Sequence, residues 1–168
     1  MTPILDDQSL EFVSRNADQT RRLGARLGQL LHGGEVICLD GQLGAGKTVL
    51  AQGIGRGWGA TDRLISPTFV LMRQHRRPTG DQLLLHVDFY RLRGEEDAVS
   101  LGLEDWMENP EVVVLIEWPE RAPEILPQER LWIELGFAGR GRRRLLFTTQ
   151  GPSYQKLLRE FRQVAFGV

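Results

Sequence analysis

The chain has a single cysteine, Cys38, which excludes an intrachain disulfide and a cysteine-based metal cluster. No apolar run approaches the roughly 20 residues that a membrane-spanning helix requires, so no membrane partner is expected. An excess of charge of one sign is also missing. Lys+Arg 21 against Asp+Glu 22 leaves a net charge of −1, which argues against a strongly non-specific nucleic-acid binder while leaving local basic patches open. The start, Met1-Thr2-Pro3 leading into Asp6-Asp7, lacks the basic-then-apolar pattern of a signal peptide, and the cytoplasm is the expected compartment. No Asn-Lys-x-Asp segment occurs, which counts against a guanine-specific switch, and no internal repeat or low-complexity stretch is visible. The remaining composition, 41% apolar with mixed charges, is that of an ordinary soluble protein. It is expected to form a single domain over residues 1–168 that buries roughly two thirds of its unfolded surface.

The most informative stretch is Gly41-Gln42-Leu43-Gly44-Ala45-Gly46-Lys47-Thr48, which fits the phosphate-loop pattern G-x-x-x-x-G-K-[ST]. It follows the apolar run Val36-Ile37-Cys38-Leu39 and precedes the helix-prone Thr48-Val49-Leu50-Ala51-Gln52, so a strand, a glycine turn and a helix occur in the order that phosphate binding needs. The glycines allow consecutive backbone N–H groups to turn inward as an anion nest, and the following helix aims its positive dipole end at the same point. Lys47 would reach the outer phosphates and Thr48 would offer its hydroxyl to magnesium.

Along the rest of the chain, a strand is predicted from Ser9 to Arg15, then a helix from about Asp18 with Leu23, Leu27, Leu30 and Leu31 on one face. After the loop helix, which runs to about Trp58, Phe69–Arg76 and Leu83–Asp88 read as an antiparallel hairpin across Pro78-Thr79-Gly80-Asp81. Two short helices are predicted between Gly94 and Trp106, broken near Gly102. The apolar Val112-Val113-Val114-Leu115-Ile116 has the signature of a strand buried on both faces. A second hairpin pairs Leu131–Leu135 with Arg144–Thr149, and a final amphipathic helix places Tyr154, Leu157, Leu158, Phe161 and Val164 on one side. Parallel βαβ units mixed with hairpins predict a three-layer α/β phosphate-loop NTPase fold with a mixed parallel/antiparallel sheet. Ligands of such sheets bind beyond the carboxyl ends of the parallel strands.

Candidate chemistry gathers at the ends of the apolar strands. Glu117 follows Val112–Ile116, where a phosphate-loop enzyme keeps an acid to help hold magnesium or position water; a solvated carboxylate capping the helix that Pro119 begins is the alternative. Asp88 ends the strand in His86-Val87-Asp88-Phe89-Tyr90-Arg91, whose alternation puts His86, Asp88 and Tyr90 on one face. That face either looks into a nucleotide cleft or is a hydrogen-bonded polar cluster. Ser66-Pro67-Thr68 lies where nucleotide switches sense the γ-phosphate, and reads equally as a helix-to-strand turn. Trp118, beside Glu117, reads as packing, with stacking near the base or on a partner surface the alternative. The basic runs Arg73–Arg77 and Arg140–Arg144 fall at hairpins and read as solvated rims, with contact to RNA or a partner the alternative.

Taken together and in order, the phosphate loop, Ser66-Pro67-Thr68-Phe69, His86-Val87-Asp88-Phe89-Tyr90-Arg91, Leu101-Gly102-Leu103-Glu104-Asp105 and Ile116-Glu117-Trp118-Pro119-Glu120 resemble the bacterial TsaE family, formerly YjeE. The resemblance runs from the first helix to about Leu135. It implies a small ATPase of tRNA threonylcarbamoyladenosine biosynthesis that binds ATP and magnesium. It also implies work with the TsaD and TsaB proteins, and so with tRNA indirectly. It implies a phosphate cradle at Gly44, Ala45, Gly46, Lys47 and Thr48, with Val49 continuing the cofactor-binding stretch. A switch-like segment at Ser66 to Thr68, a motif aspartate at Asp88 and a metal-associated Glu117 with Trp118 beside it follow on the same ground. Lys47, Asp88 and Glu117 are the expected catalytic residues, and Thr48 and Glu117 the expected metal ligands. The family usually carries aspartate as the second loop residue, where this chain has Gln42. A small-molecule kinase and a non-catalytic nucleotide switch are the rival functions.

Overall fold

The computed structural model describes residues 4–6, 8–66 and 71–168. Thr68, Pro67 and the predicted strand start at Phe69 lie outside the described residues. Eight strands, β1 (Ile4–Leu5), β2 (Ser9–Ser14), β3 (Val36–Gly41), β4 (Met72–Arg76), β5 (Leu83–Asp88), β6 (Val112–Glu117), β7 (Arg130–Phe137) and β8 (Arg143–Gln150), form one mixed sheet in the order β1-β2-β8-β7-β3-β6-β5-β4. β3 lies between β6 and β7, parallel to both, and β5 runs parallel to β6. The remaining pairings are antiparallel, including the β4–β5 and β7–β8 hairpins.

The alternation within β3 decides which layer each residue serves. Ile37 and Leu39 join the core under α1 (Ala17–Gly28), α2 (Lys47–Trp58) and α5 (Pro152–Phe166), together with Leu27, Ile54 and Phe161. Val36 and Cys38 face the opposite core, with Leu85, Ile116 and residues of the short helices α3 (Glu95–Ser100) and α4 (Leu103–Glu108). Helices therefore cover both faces of the sheet, as the mixed pattern predicts. Cys38 is a buried core residue whose thiol is pushed up to about 12 by burial. No helix among the described residues is long and apolar enough to cross a membrane.

Two expectations of periodicity change. The first helix ends at Gly28 rather than carrying Leu30 and Leu31, which follow in turns bonded to Leu27 and Gly28. Leu31 is nevertheless buried, because hydrophobic spacing reports burial and not helical backbone. Val164 is 39% exposed; α5 closes its last turn on the core through Ala165 and Phe166, whose ring packs 5.0 Å from Phe12.

Candidate nucleotide-binding site

The three neighbouring parallel strands bring their carboxyl ends level. Leu39 is paired with Glu117, and Asp88 with Glu117, so the chain leaving β3 enters the phosphate loop beside both acids. Gly46 closes the loop at φ 105°, a left-handed conformation that favours glycine, and starts α2 with its carbonyl accepting from Leu50 N–H at 2.9 Å. The Ala45 side chain is buried in the core and its N–H donates to Gln42 O at 3.0 Å, so Ala45 shapes the loop from behind.

Lys47 folds back over this loop. Its ammonium donates to Gly41 O and, at 2.9 Å, to Gln42 O, and lies 4.0 Å from the centre of the Trp118 ring. Burial lowers its pKa from the ordinary value, opposed by the Glu117, Glu120, Asp40 and Asp88 carboxylates. Trp118 takes a left-handed backbone, φ 59°, immediately after β6, and its ring meets Tyr90 at 4.9 Å. It is only partly buried, so it is both packing and lining.

The two acids are held from different sides. Glu117, 2% exposed, accepts from the Thr48 hydroxyl at Oε1 (3.1 Å), and its Oε2 lies 2.6 Å from His86 Nε2. Asp88 accepts from the Ser66 hydroxyl at Oδ2 (2.7 Å) and from Tyr90 N–H at Oδ1 (2.8 Å). The face predicted for His86, Asp88 and Tyr90 is divided: Asp88 and Tyr90 line the cavity, and His86 turns to Glu117. Glu117 is no solvated helix cap. A cavity of about 340 Å³ is lined by Gly44, Gly46, Lys47, Thr48, Val49, Ser66, Asp88, Arg91, Glu117 and Trp118 among others. Of the expected site residues that lie among the described ones, it gathers all except the core-facing Ala45.

Magnesium takes hard oxygen ligands, few of them from protein, and keeps waters and substrate phosphates for the rest. The converging Thr48 hydroxyl and Glu117 Oε1 fit that donor set. Among the described residues no group of three or more His, Cys, Asp or Glu forms a self-sufficient metal cage. A larger recess of about 490 Å³ lies at the amino end of β3, between Leu30, Val36, Met107 and Tyr154, far from the loop.

A family model described as threonylcarbamoyl adenosine biosynthesis protein TsaE matches residues 14–145. The chain belongs to the TsaE family. The tRNA threonylcarbamoyladenosine biosynthesis protein TsaE of Bacillus subtilis (strain 168) is 34% identical over 153 residues, 91% of this chain and 94% of that one. The protein of the same name from Mycobacterium tuberculosis (strain H37Rv) is 43% identical over 125 residues, 70% of this chain and 73% of its own. That of Nostoc sp. (strain PCC 7120) is 42% identical over 120 residues, 70% and 72% of the two chains. Among solved structures, Bacillus subtilis YdiB matches with a TM-score of 0.78 at 29% identity, covering 97% of each chain.

The TsaE match extends past the expected motifs to the β7–β8 hairpin, whose basic run reads from sequence as a solvated rim or a contact for RNA or a partner. Arg143 lies over the Phe137 ring at 4.7 Å and donates to Gly44 O at 3.2 Å. With Asn16, Thr20, Gly46, Val49 and Gly141 it lines a recess of about 310 Å³ on the other side of the loop. The arginine run alone gave no signal for this, since its neighbours go elsewhere: Arg144, for example, pairs with Glu11. The Arg73–Arg77 run is similarly divided, with His75 buried against Asp62 and Arg77 stacked over Trp58 at 4.5 Å.

Proposed function

We propose that the chain is a cytoplasmic ATPase that binds and hydrolyses magnesium-ATP, and that it supports turnover of the TsaD–TsaB complex in threonylcarbamoyladenosine modification of tRNA. The observation that carries this reading is the convergence of Lys47, Thr48 and Glu117 at the head of the phosphate loop. Incoming phosphates take Lys47 from the carbonyls of Gly41 and Gln42, so the cation is already beside the place where it is needed. Loop N–H groups and the amino end of α2 bind the anion, and Lys47 neutralises charge on the transferring phosphoryl group. Thr48 and Glu117 would hold magnesium, which would supply neutralisation of the charge on the phosphates. Glu117 is committed to the metal in this reading, so Asp88, seated by the Ser66 hydroxyl and Tyr90 N–H, is assigned to orient the attacking water. The adenosine end takes the recess between Asn16, Thr20 and Arg143. Phosphoryl transfer of this kind depends on positioning and electrostatics, so a site completed only by partners is slow alone.

The test is phosphate release from magnesium-ATP by the purified protein, alone and with TsaD–TsaB, with Lys47→Ala as the blank. Slow release that depends on Lys47 and rises with the partners is the expected result. Confirmed nucleotide binding with no release in either condition refutes hydrolysis and leaves a nucleotide-dependent switch.

A further inference from the structure

β5 carries a buried group that the proposed chemistry leaves unused. His86 has no exposed surface, on a strand whose neighbouring interior residues are Leu84, Leu85 and Val87. Its Nδ1 is buried without a hydrogen-bond partner among the described residues, so an apolar side chain would suit the packing better. The polar engagement it does have is with Glu117 Oε2 at 2.6 Å. A carboxylate oxygen only accepts, so Nε2 carries the proton and donates. The two side chains come from adjacent parallel strands, diagonal to one another in the register that pairs His86 with Leu115 and Asp88 with Glu117.

A glutamate has one more rotatable bond than an aspartate, so its carboxylate swings through a wider arc unless a second group holds it. Thr48 meets Glu117 at Oε1, on the loop side, and His86 meets it at Oε2, on the strand side. The carboxylate is therefore held from two sides, with Oε2 taken by His86 and Oε1 directed to the loop at Thr48. We propose that His86 is a positioning residue, which fixes Glu117 so that Oε1 alone faces the cation held beside Thr48. The proposal rests on the reading of Thr48 and Glu117 as magnesium ligands. A partner that orients a metal-ligating carboxylate commonly contributes ten- to a hundredfold to metal affinity.

ADP is titrated calorimetrically at stepped magnesium concentrations into the parent protein, His86→Leu and His86→Gln, with unfolding midpoints as the folding control. His86→Leu should require at least about tenfold more magnesium to reach half of the metal-dependent gain in ADP affinity. Its metal-free ADP affinity should stay within about twofold of the parent, because His86 engages Glu117 from behind and does not line the cavity. His86→Gln, which returns an N–H to the Nε2 position, should recover most of the loss. Where His86→Leu does not fold, His86→Asn, whose amide is too short to reach Oε2, takes its place. An unchanged magnesium requirement overturns the proposal. So does a loss of metal-free affinity that glutamine fails to rescue, which marks His86 as a structural pin between β5 and β6. ADP binding indifferent to magnesium in the parent overturns the metal assignment and the proposal together. Magnesium-dependent ADP binding without phosphate release sinks only the hydrolase reading.

Discussion

The helix that presents Lys47 and Thr48 is held against α1 by direct backbone contact, and Gly57 is where that contact is closest. A Cβ built on Gly57 would lie 1.9 Å from the carbonyl oxygen of Ala25, and one on Gly55 would lie 2.2 Å from the Cδ1 of Leu64. The two sites share a helix and the same gain in helix propensity on substitution by alanine, about 1 kcal/mol. They differ in what must yield. To restore an ordinary contact the Ala25 carbonyl would have to retreat by about 1.5 Å, and as helix backbone it cannot move without the rest of α1. That cost belongs at the upper end of the overpacking range, about 3 kcal/mol. The Leu64 methyl is the end of a side chain and can change rotamer, at a cost of about 1 kcal/mol. Gly57→Ala should therefore lose about 2 kcal/mol and Gly55→Ala should be close to neutral. Urea denaturation of both variants, with unchanged m-values, measures the difference. Equal stabilities, or a Gly57→Ala protein more stable than the parent, would refute the claim that backbone contact between α1 and α2 limits this interface.

Two further outcomes follow from the same structure. Because burial lowers the Lys47 pKa below its ordinary 10.5, metal-free ADP affinity should hold steady near neutral pH and fall as pH rises towards 10.5. The unfolded lysine keeps its proton up to the ordinary value, so the nucleotide-free protein should gain stability through the same window. Lys47→Arg keeps its cation throughout, and matching affinity profiles for the two proteins would contradict the assignment. Tyr154 receives the N–H of Val36, the first residue of β3, at 2.8 Å, and its hydroxyl is pushed up to about 12 by burial, so it stays protonated at working pH. Tyr154→Phe leaves that N–H without its acceptor beside a recess that can admit water, and should cost about 1 kcal/mol in urea denaturation; an unchanged midpoint would show that Val36 finds another partner.

What the sequence made legible is what contiguous residues decide. Strand, loop and helix follow one another between Val36 and Trp58, so their pattern carries the phosphate loop without any knowledge of neighbours. Val112–Ile116 declares itself by being apolar at every position, and Glu117 by standing at its end. The hairpin at Pro78–Asp81 and the break at Gly102 are likewise local, and the β4–β5 pairing and the gap between α3 and α4 match them. What was not legible depends on which strands become neighbours. Glu117 meets His86, 31 residues earlier, because β5 and β6 run parallel in one particular register; shifted by one residue, the imidazole would face the α3–α4 side instead. Arg143 reaches Gly44 across 99 residues because β7 lies beside β3 and the β7–β8 hairpin carries the arginine back over the loop. A basic hairpin reads the same from sequence whether its rim is solvated or folded onto an anion site. Sequence pattern therefore finds the residues proposed to touch phosphate or metal, which local chemistry marks. The side chains that aim them have to be found from the sheet, because His86 is a buried histidine in an apolar strand until β6 is placed beside it.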